Sequence, residues 1–264
     1  SLIIQIDSID KPMKHAMIYK FWFLTLLFVT VTVFNPNIGK ASDNNLLVLE
    51  ISYDGDFSPF TYQNRDGIAS GILMHTLKEA LESKKIKFNL TAHPWKRTIV
   101  LTDKAMVDAS IPWRYTEERT KKYHLVGPIT PKGSPTVIWG RKSDTKIKSW
   151  ESICDLSPYS IGAISGYRYP VIIEDAKCIE NMQYSTVTNK MLLQKLRNKR
   201  VDLIIGDRNV LEEAARQQNI EGMFEEVIPP LEYVQRYLAV PKSKPQVAKI
   251  LQDALDDFHD RSKE

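Results

Sequence analysis

From about residue 46 to residue 258, apolar runs of strand length alternate with stretches of helical periodicity. That alternation confines the chain to mostly parallel sheets with helices packed on their faces. Residues 46–51 read as a buried-type strand. A helix is predicted over 72–83, where Leu73, Leu77 and Leu81 share one face and Lys78, Glu79 and Glu82 the other. Residues 87–92 alternate and read as a half-buried strand; a short helix over 95–102 and a strand over 106–111 complete a β-α-β-α-β series. A second series has strands at 136–140, 160–164, 182–187 and 201–205, with helices at 149–156, 167–177, 188–199 and 210–218. Thr188 caps the third of these helices. A strand at 237–240 precedes a helix over 245–259, in which Val247, Ile250, Leu251, Ala254, Leu255 and Phe258 keep helical spacing without a miss.

Two breaks interrupt the pattern, Gly127-Pro128 between the two series and Pro229-Pro230 after the second. The expectation is an α/β protein of two lobes with two crossovers. Periodicity alone also permits two domains in succession.

The start of the chain bears on the compartment. Met13-Lys14-His15 and Lys20 form a basic segment, and residues 21–34 are uninterruptedly apolar. That run is short of the ~20 residues a membrane span needs. Asn35-Pro36 breaks it, and Gly39-Lys40-Ala41 offers small residues for a signal peptidase. A secretory signal peptide cleaved after Ala41 is expected; an uncleaved anchor is the other reading. No cysteine follows the apolar run, so a lipoprotein is not expected, and residues 1–12, before the first Met, carry no signal-peptide logic. Residues 1–41 hold four lysines and two aspartates, so the net charge of +4 falls to +2 without them. So small a balance argues for neither nucleic acid nor a membrane surface. Cys154 and Cys178, the only cysteines, form a disulfide candidate in an oxidising compartment. Spacing alone equally permits two buried free thiols.

Open α/β sheets bind ligands beyond the carboxyl ends of their strands. Asp54, Asp56 and Phe57 fall at such an end, as do Trp95, then Trp113, Arg114 and Arg119, then Gly166 and Tyr167, and finally Asp207. Taken singly, each has a plainer role: an Asp after a strand forms turns, and Phe or Trp fills cores. An Arg after two Glu residues usually sits on a solvated helix face. At the mouth of a parallel sheet, however, a guanidinium fork grips a carboxylate with two parallel hydrogen bonds.

Five motifs, in order, resemble the bacterial periplasmic solute-binding proteins of the polar-amino-acid class, family 3. They are FSPFTYQNRDGIASGI (residues 57–72), HPWKRTI (93–99), VDASIPWRYTEERTKKYHLVGPI (107–129), SIGAISGYRY (160–169) and KRVDLIIGD (199–207). HPWKRTI looks like the Pro-Trp-x-Arg form of a divergent subgroup. The resemblance runs from about residue 46 to 258. It implies a type II two-lobe periplasmic-binding-protein fold with two hinge crossovers: residues 42–129 as the first lobe, 130–230 as the second, and 231–264 returning to the first. It further implies a periplasmic protein that captures an amino-acid-like solute for an inner-membrane ABC permease or a sensor receptor, acting as a monomer without nucleic acid, metal or cofactor.

The same resemblance distributes roles. Arg119 matches the arginine that clamps the ligand's α-carboxylate, and Asp207 the acid that accepts from its α-ammonium. Phe57 packs on the ligand, Trp95 lines the side-chain pocket, and the Gly166-Tyr167 turn offers backbone N–H groups at a helix N-terminus. Asp54 and Arg114 complete the expected ligand-binding set.

Two departures weigh on the ligand. Pro112-Trp113-Arg114 stands where amino-acid binders usually carry Ser or Thr, and Tyr167-Arg168 replaces the small hydroxyl after the second-lobe glycine. Bulk and positive charge in place of hydroxyls fit a more anionic or modified ligand. Enzyme motifs do not occur: there is no Gly-x-Ser-x-Gly, phosphate-cradling loop or dinucleotide fingerprint, and the five histidines lack metal-ligand spacing. The alternative on this fold is a cyclohexadienyl-dehydratase-like lyase, with Asp207 or His93 as the nearest acid or base.

Overall fold

The computed structural model describes residues 48–262, so the expected signal peptide lies outside the described residues. The elements are, in order, β1 (Val48–Asp54), β2 (Asp56–Phe57), β3 (Thr61–Gln63), β4 (Ala69–Ser70), α1 (Ile72–Ser83), β5 (Lys87–His93), α2 (Trp95–Asp103), β6 (Ala109–Arg114), α3 (Glu117–Lys122), β7 (Tyr123–Val126), β8 (Ser134–Arg141), β9 (Ile161–Ile164), α4 (Val171–Glu174), β10 (Met182–Thr186), α5 (Asn189–Arg197), β11 (Leu203–Asp207), α6 (Arg208–Arg216), β12 (Phe224–Val234), β13 (Arg236–Pro241) and α7 (Pro245–Arg261). They build two five-stranded sheets, ordered β5-β1-β6-β13-β7 and β10-β9-β11-β8-β12, plus a small β2-β3-β4 sheet.

In the first sheet, β5, β1 and β6 are parallel and β13 runs antiparallel between β6 and β7. Helices α1 and α7 pack on each other and bury Leu73, Leu77, Leu81, Leu251 and Leu255 against Leu49, Ile51 and Ile111. Helix α1 starts where it must. Gly71 takes φ 118°, and a Cβ there would stand 2.3 Å from the Phe60 carbonyl oxygen, so only glycine fits. In the second sheet, β10, β9 and β11 are parallel, while β8 runs antiparallel to both of its neighbours, β11 and β12. Leu192, Leu193 and Leu196 of α5 and Leu211 of α6 cover one face; Leu156, Tyr169 and Ile173 cover the other. The Thr188 hydroxyl caps α5 by accepting from the Met191 N–H.

The chain passes between the sheets twice. Val234 still pairs with Ser134 in the second sheet, and Arg236 pairs with Arg114 in the first. The two crossovers lie side by side, with the Ile129 N–H donating to the Arg236 carbonyl at 2.8 Å.

Three expectations change. The helix over 149–156 shrinks to a 3₁₀ turn, Ile153–Leu156, because Ser149 bridges to Ile228 and the Trp150 N–H bonds the Ile228 carbonyl. The helix over 167–177 shrinks to Val171–Glu174; Pro170 drives the residue before it out of helical backbone, and the Tyr169 N–H goes to the Glu174 carboxylate. Pro229-Pro230 does not end a strand. Both prolines lie within β12, which sits at the sheet edge where a missing N–H is tolerated, and the register shifts between Val227 and Glu232.

Cys154 and Cys178 are disulfide-bonded. Closing a loop 24 residues apart in sequence stabilises a fold by about 3 kcal/mol in the chain-entropy view. Arg141, an arginine outside the predicted cleft, is buried and structural. Its guanidinium donates to the Leu196 and Val201 carbonyls at 2.8 and 2.6 Å and to Asp144 at 2.7 Å.

Candidate functional site

The carboxyl ends of β1, β6 and β11 converge on a cavity of about 50 Å³ between the sheets, whose walls include Asp54, Phe57, Trp95, Arg114, Arg119, Tyr167, Asp207 and Arg236. Seven of the eight predicted ligand-binding residues are thus brought together. Gly166 instead borders an adjoining hollow of about 710 Å³, whose walls also include Arg119, Tyr167 and Arg168.

Arg119 is placed by α3. Thr116 caps that helix by accepting the Arg119 N–H, and Glu117 and Glu118 complement the helix dipole in the first turn. The expected solvated face is absent: Arg119 is only 7% exposed. Its guanidinium lies 4.6 Å above the Trp113 ring and donates to the Arg114 carbonyl at 3.1 Å. Trp113 lies beneath that guanidinium and borders the adjoining hollow, in edge contact with Trp95 at 4.9 Å, with its indole N–H donating to the Ser110 hydroxyl. Among the described residues Arg119 makes no ion pair. Burial lowers its pKa to about 10.

Arg114 ends β6 and reaches across to the other sheet, donating to the Thr136 hydroxyl at 3.1 Å and pairing with Glu232. Burial, then the neighbouring Arg236 and Arg119 charges, bring its pKa down to about 9. Arg236, which sequence reasoning missed, stands directly across the β13–β6 pairing from Arg114. Its guanidinium lies 5.1 Å from the Phe57 ring and donates to Asp207 at 2.8 Å. A cation opening the apolar run of residues 237–240 was the available signal, since such a charge must find a partner once the strand is buried.

Asp207 is therefore already engaged. It caps α6 through the Asn209 N–H and accepts from Arg236 and from the Ser134 hydroxyl. Asp54 is 2% exposed and accepts from the Asp56 N–H at 3.0 Å and the Tyr167 hydroxyl at 2.8 Å. Tyr167 fills the gap between Phe57 and Trp95, with ring centroids 6.0 and 6.1 Å away. Gly166 turns with φ 88°, and its carbonyl accepts the Trp95 indole N–H at 2.9 Å. The expected helix N-terminus is not at this turn. The Tyr167 N–H bonds the Ile164 carbonyl at 3.3 Å, and α4 begins at Val171.

Further contacts hold the two lobes together. Asn189 bonds Asp56 through its backbone N–H and its side chain, at 2.9 and 3.0 Å, and Arg168 pairs with Glu118 at 2.8 Å. The cleft is closed in this conformation.

Burial raises the Asp54 pKa from 3.8 to about 6, and Asp56 is raised by the same cause. The sign follows from proton binding: between these values the folded state holds a proton that the unfolded chain has released, so stability falls as pH rises from 4 through 6. For Asp54 the loss amounts to about 3 kcal/mol at most. Asp54→Asn should remove that share of the slope, measured as urea-unfolding free energy at pH 4 and pH 7 against the parent. Equal slopes in the two proteins would refute it.

Among the described residues no cluster of three or more His, Cys, Asp or Glu is placed to hold a metal, and no helix is long and apolar enough to cross a membrane.

Comparison with known proteins agrees with this architecture. An arginine-bound glycine-to-alanine mutant of ArgBP from T. maritima superposes with TM-score 0.68 at 17% identity, over 80% of this chain and 95% of that one. An ancestral arginine-binding protein bound to glutamine matches with TM-score 0.68 at 19% identity, over 81% and 92%. A histidine kinase sensor domain with similarity to periplasmic binding proteins matches with TM-score 0.70 at 13% identity, over 82% and 92%. At such identities the likeness shows the fold, the two-lobe type II arrangement. No curated protein matches by sequence. The model of the bacterial extracellular solute-binding proteins, family 3, matches residues 49–263, and with it the chain belongs to that family.

Proposed function

We propose that this chain is a periplasmic binding protein that closes the lobe of β1–β7, β13 and α7, as one jaw, against the lobe of β8–β12, as the other, on a small carboxylate-bearing solute of amino-acid size, and delivers it to an ABC permease. The observation that carries this reading is Arg119: a nearly buried guanidinium on the wall of the cavity between the lobes, with no carboxylate paired to it among the described residues. A buried charge without a counter-ion is costly, and a ligand carboxylate would supply the missing charge in the geometry a guanidinium fork favours. Closure would be a hinge motion about the paired crossovers.

A second reading, a sensor module for a membrane receptor, draws support from the histidine kinase sensor domain that shares the fold. Both readings need the same solute site and differ in the partner.

A thermal-shift screen against amino acids, small peptides and organic acids tests the site. A solute present at 100 times its dissociation constant should add about 2.7 kcal/mol to stability, or roughly 5–10 °C in Tm for a domain of this size. Absence of a shift with every carboxylate-bearing compound would sink the proposal.

A further inference from the structure

The donors and acceptors around the cavity are unevenly committed. Arg114 and Arg236 line it, each is 9% exposed, and the Nε of each is buried without a hydrogen-bond partner among the described residues. Arg119 adds a third guanidinium. Of the carboxylates nearby, Asp207 of the second sheet is used by Arg236, Ser134 and the Asn209 N–H, Asp54 of the first by Tyr167 and the Asp56 N–H, and Glu232 is paired with Arg114. A guanidinium carries five donors and no acceptor, so the site offers donors in surplus and acceptors in deficit. An incoming ammonium would share Asp207 with Arg236, Ser134 and the Asn209 N–H, beside three guanidinium charges. An incoming anion need displace nothing, and buried N–H groups left unmatched are costly.

Resting on the reading of the cleft as a carboxylate site, we infer that its ligand is a compact dicarboxylic acid without a free ammonium group. One carboxylate lies on Arg119, and the second takes the unmatched donors of Arg114 and Arg236. The cavity is small, about 50 Å³ against the 300–1,000 Å³ of ordinary ligand pockets, and a short diacid would stay within it, whereas a long side chain would have to run into the adjoining hollow past Arg119 and Arg168. The aromatic lining of Phe57, Trp95 and Tyr167 would cover the short methylene spacer.

Three four-carbon acids separate the components by titration calorimetry on the intact protein. Succinate and aspartate differ by the ammonium alone; succinate and butyrate differ by the second carboxylate alone. Succinate, or the shorter malonate, should bind at least about tenfold more tightly than aspartate, and by a similar margin than butyrate. Arg114→Met should bring the succinate-to-butyrate ratio towards one, a change that loss of folding alone would not produce. Tighter binding of aspartate, arginine or glutamine than of either diacid would overturn the inference while leaving a carboxylate site in place. Equal binding of butyrate and succinate would overturn the second carboxylate. Binding of none of these acids, or of any other carboxylate in the wider screen, would remove both this inference and the reading on which it rests.

Discussion

Arg119→Ala is expected to weaken binding of the solute by roughly 30-fold or more. Removing one partner of a desolvated, hydrogen-bonded charge pair typically costs 2–5 kcal/mol, and each 1.4 kcal/mol is a factor of ten. The residue is not a free cleft-mouth cation, so the substitution also touches the fold. It takes a donor from the Arg114 carbonyl and uncovers the face of Trp113, a loss of about 1–2 kcal/mol. Affinity must therefore be read by calorimetry on material whose unfolding transition remains cooperative. Arg119→Lys is the informative companion. It keeps the charge and discards the planar fork, so it should recover only part of the loss. Undiminished affinity in Arg119→Ala would dismiss the clamp.

Arg141→Ala should instead destabilise the protein by about 3–5 kcal/mol, with urea unfolding as the measurement. The substitution strips the donors from the Leu196 and Val201 carbonyls, at the end of α5 and just before β11. An orphaned buried carbonyl costs about 1–3 kcal/mol. The salt bridges that tie Asp144 to Arg141 and Lys199 contribute little beyond this, because surface pairs rarely exceed 1 kcal/mol. A residue with no place in the cleft thus has the larger effect on folding, and makes a poor control for affinity measurements. A loss below about 1 kcal/mol would mean that water replaces the guanidinium at both carbonyls.

Periodic burial made much of the fold legible. Helix α1 spans the predicted residues, α7 extends the predicted helix by two residues, and Thr188 caps α5 as its side-chain chemistry requires. The misreadings occur where tertiary partners took the backbone. Ser149 and Trp150 bridge to β12, and Tyr169 donates its N–H to Glu174 while its hydroxyl accepts the Ile164 N–H. The bridge to β12 leaves no local trace in sequence, whereas Pro170 beside Tyr169 was a legible sign against a helix there.

The cavity shows the same division. Strand ends and motif order placed seven of the eight expected ligand residues around one cavity, because the two sheets fix where their parallel strand ends point. Arg236 was missed because it owes its position to an antiparallel strand arriving from more than a hundred residues away. That arrival also changes the chemistry of Asp207, which in isolation reads as a free acceptor and in the fold is half of an ion pair.

The place of β13 in the first sheet has a consequence for the order in which the molecule is made. Strand β7 joins that sheet only through β13, and α7 supplies Leu251 and Leu255 to the core beneath it. A chain emerging from its N-terminus therefore exposes β1, β5 and β6 long before the segment that completes their sheet exists. The second lobe, one continuous stretch, has every strand of its sheet once β12 has emerged. Residues made after the second lobe, β13 and α7, finish the first lobe, leaving β6 with an open edge in the interval, the kind of surface that invites wrong partners during synthesis.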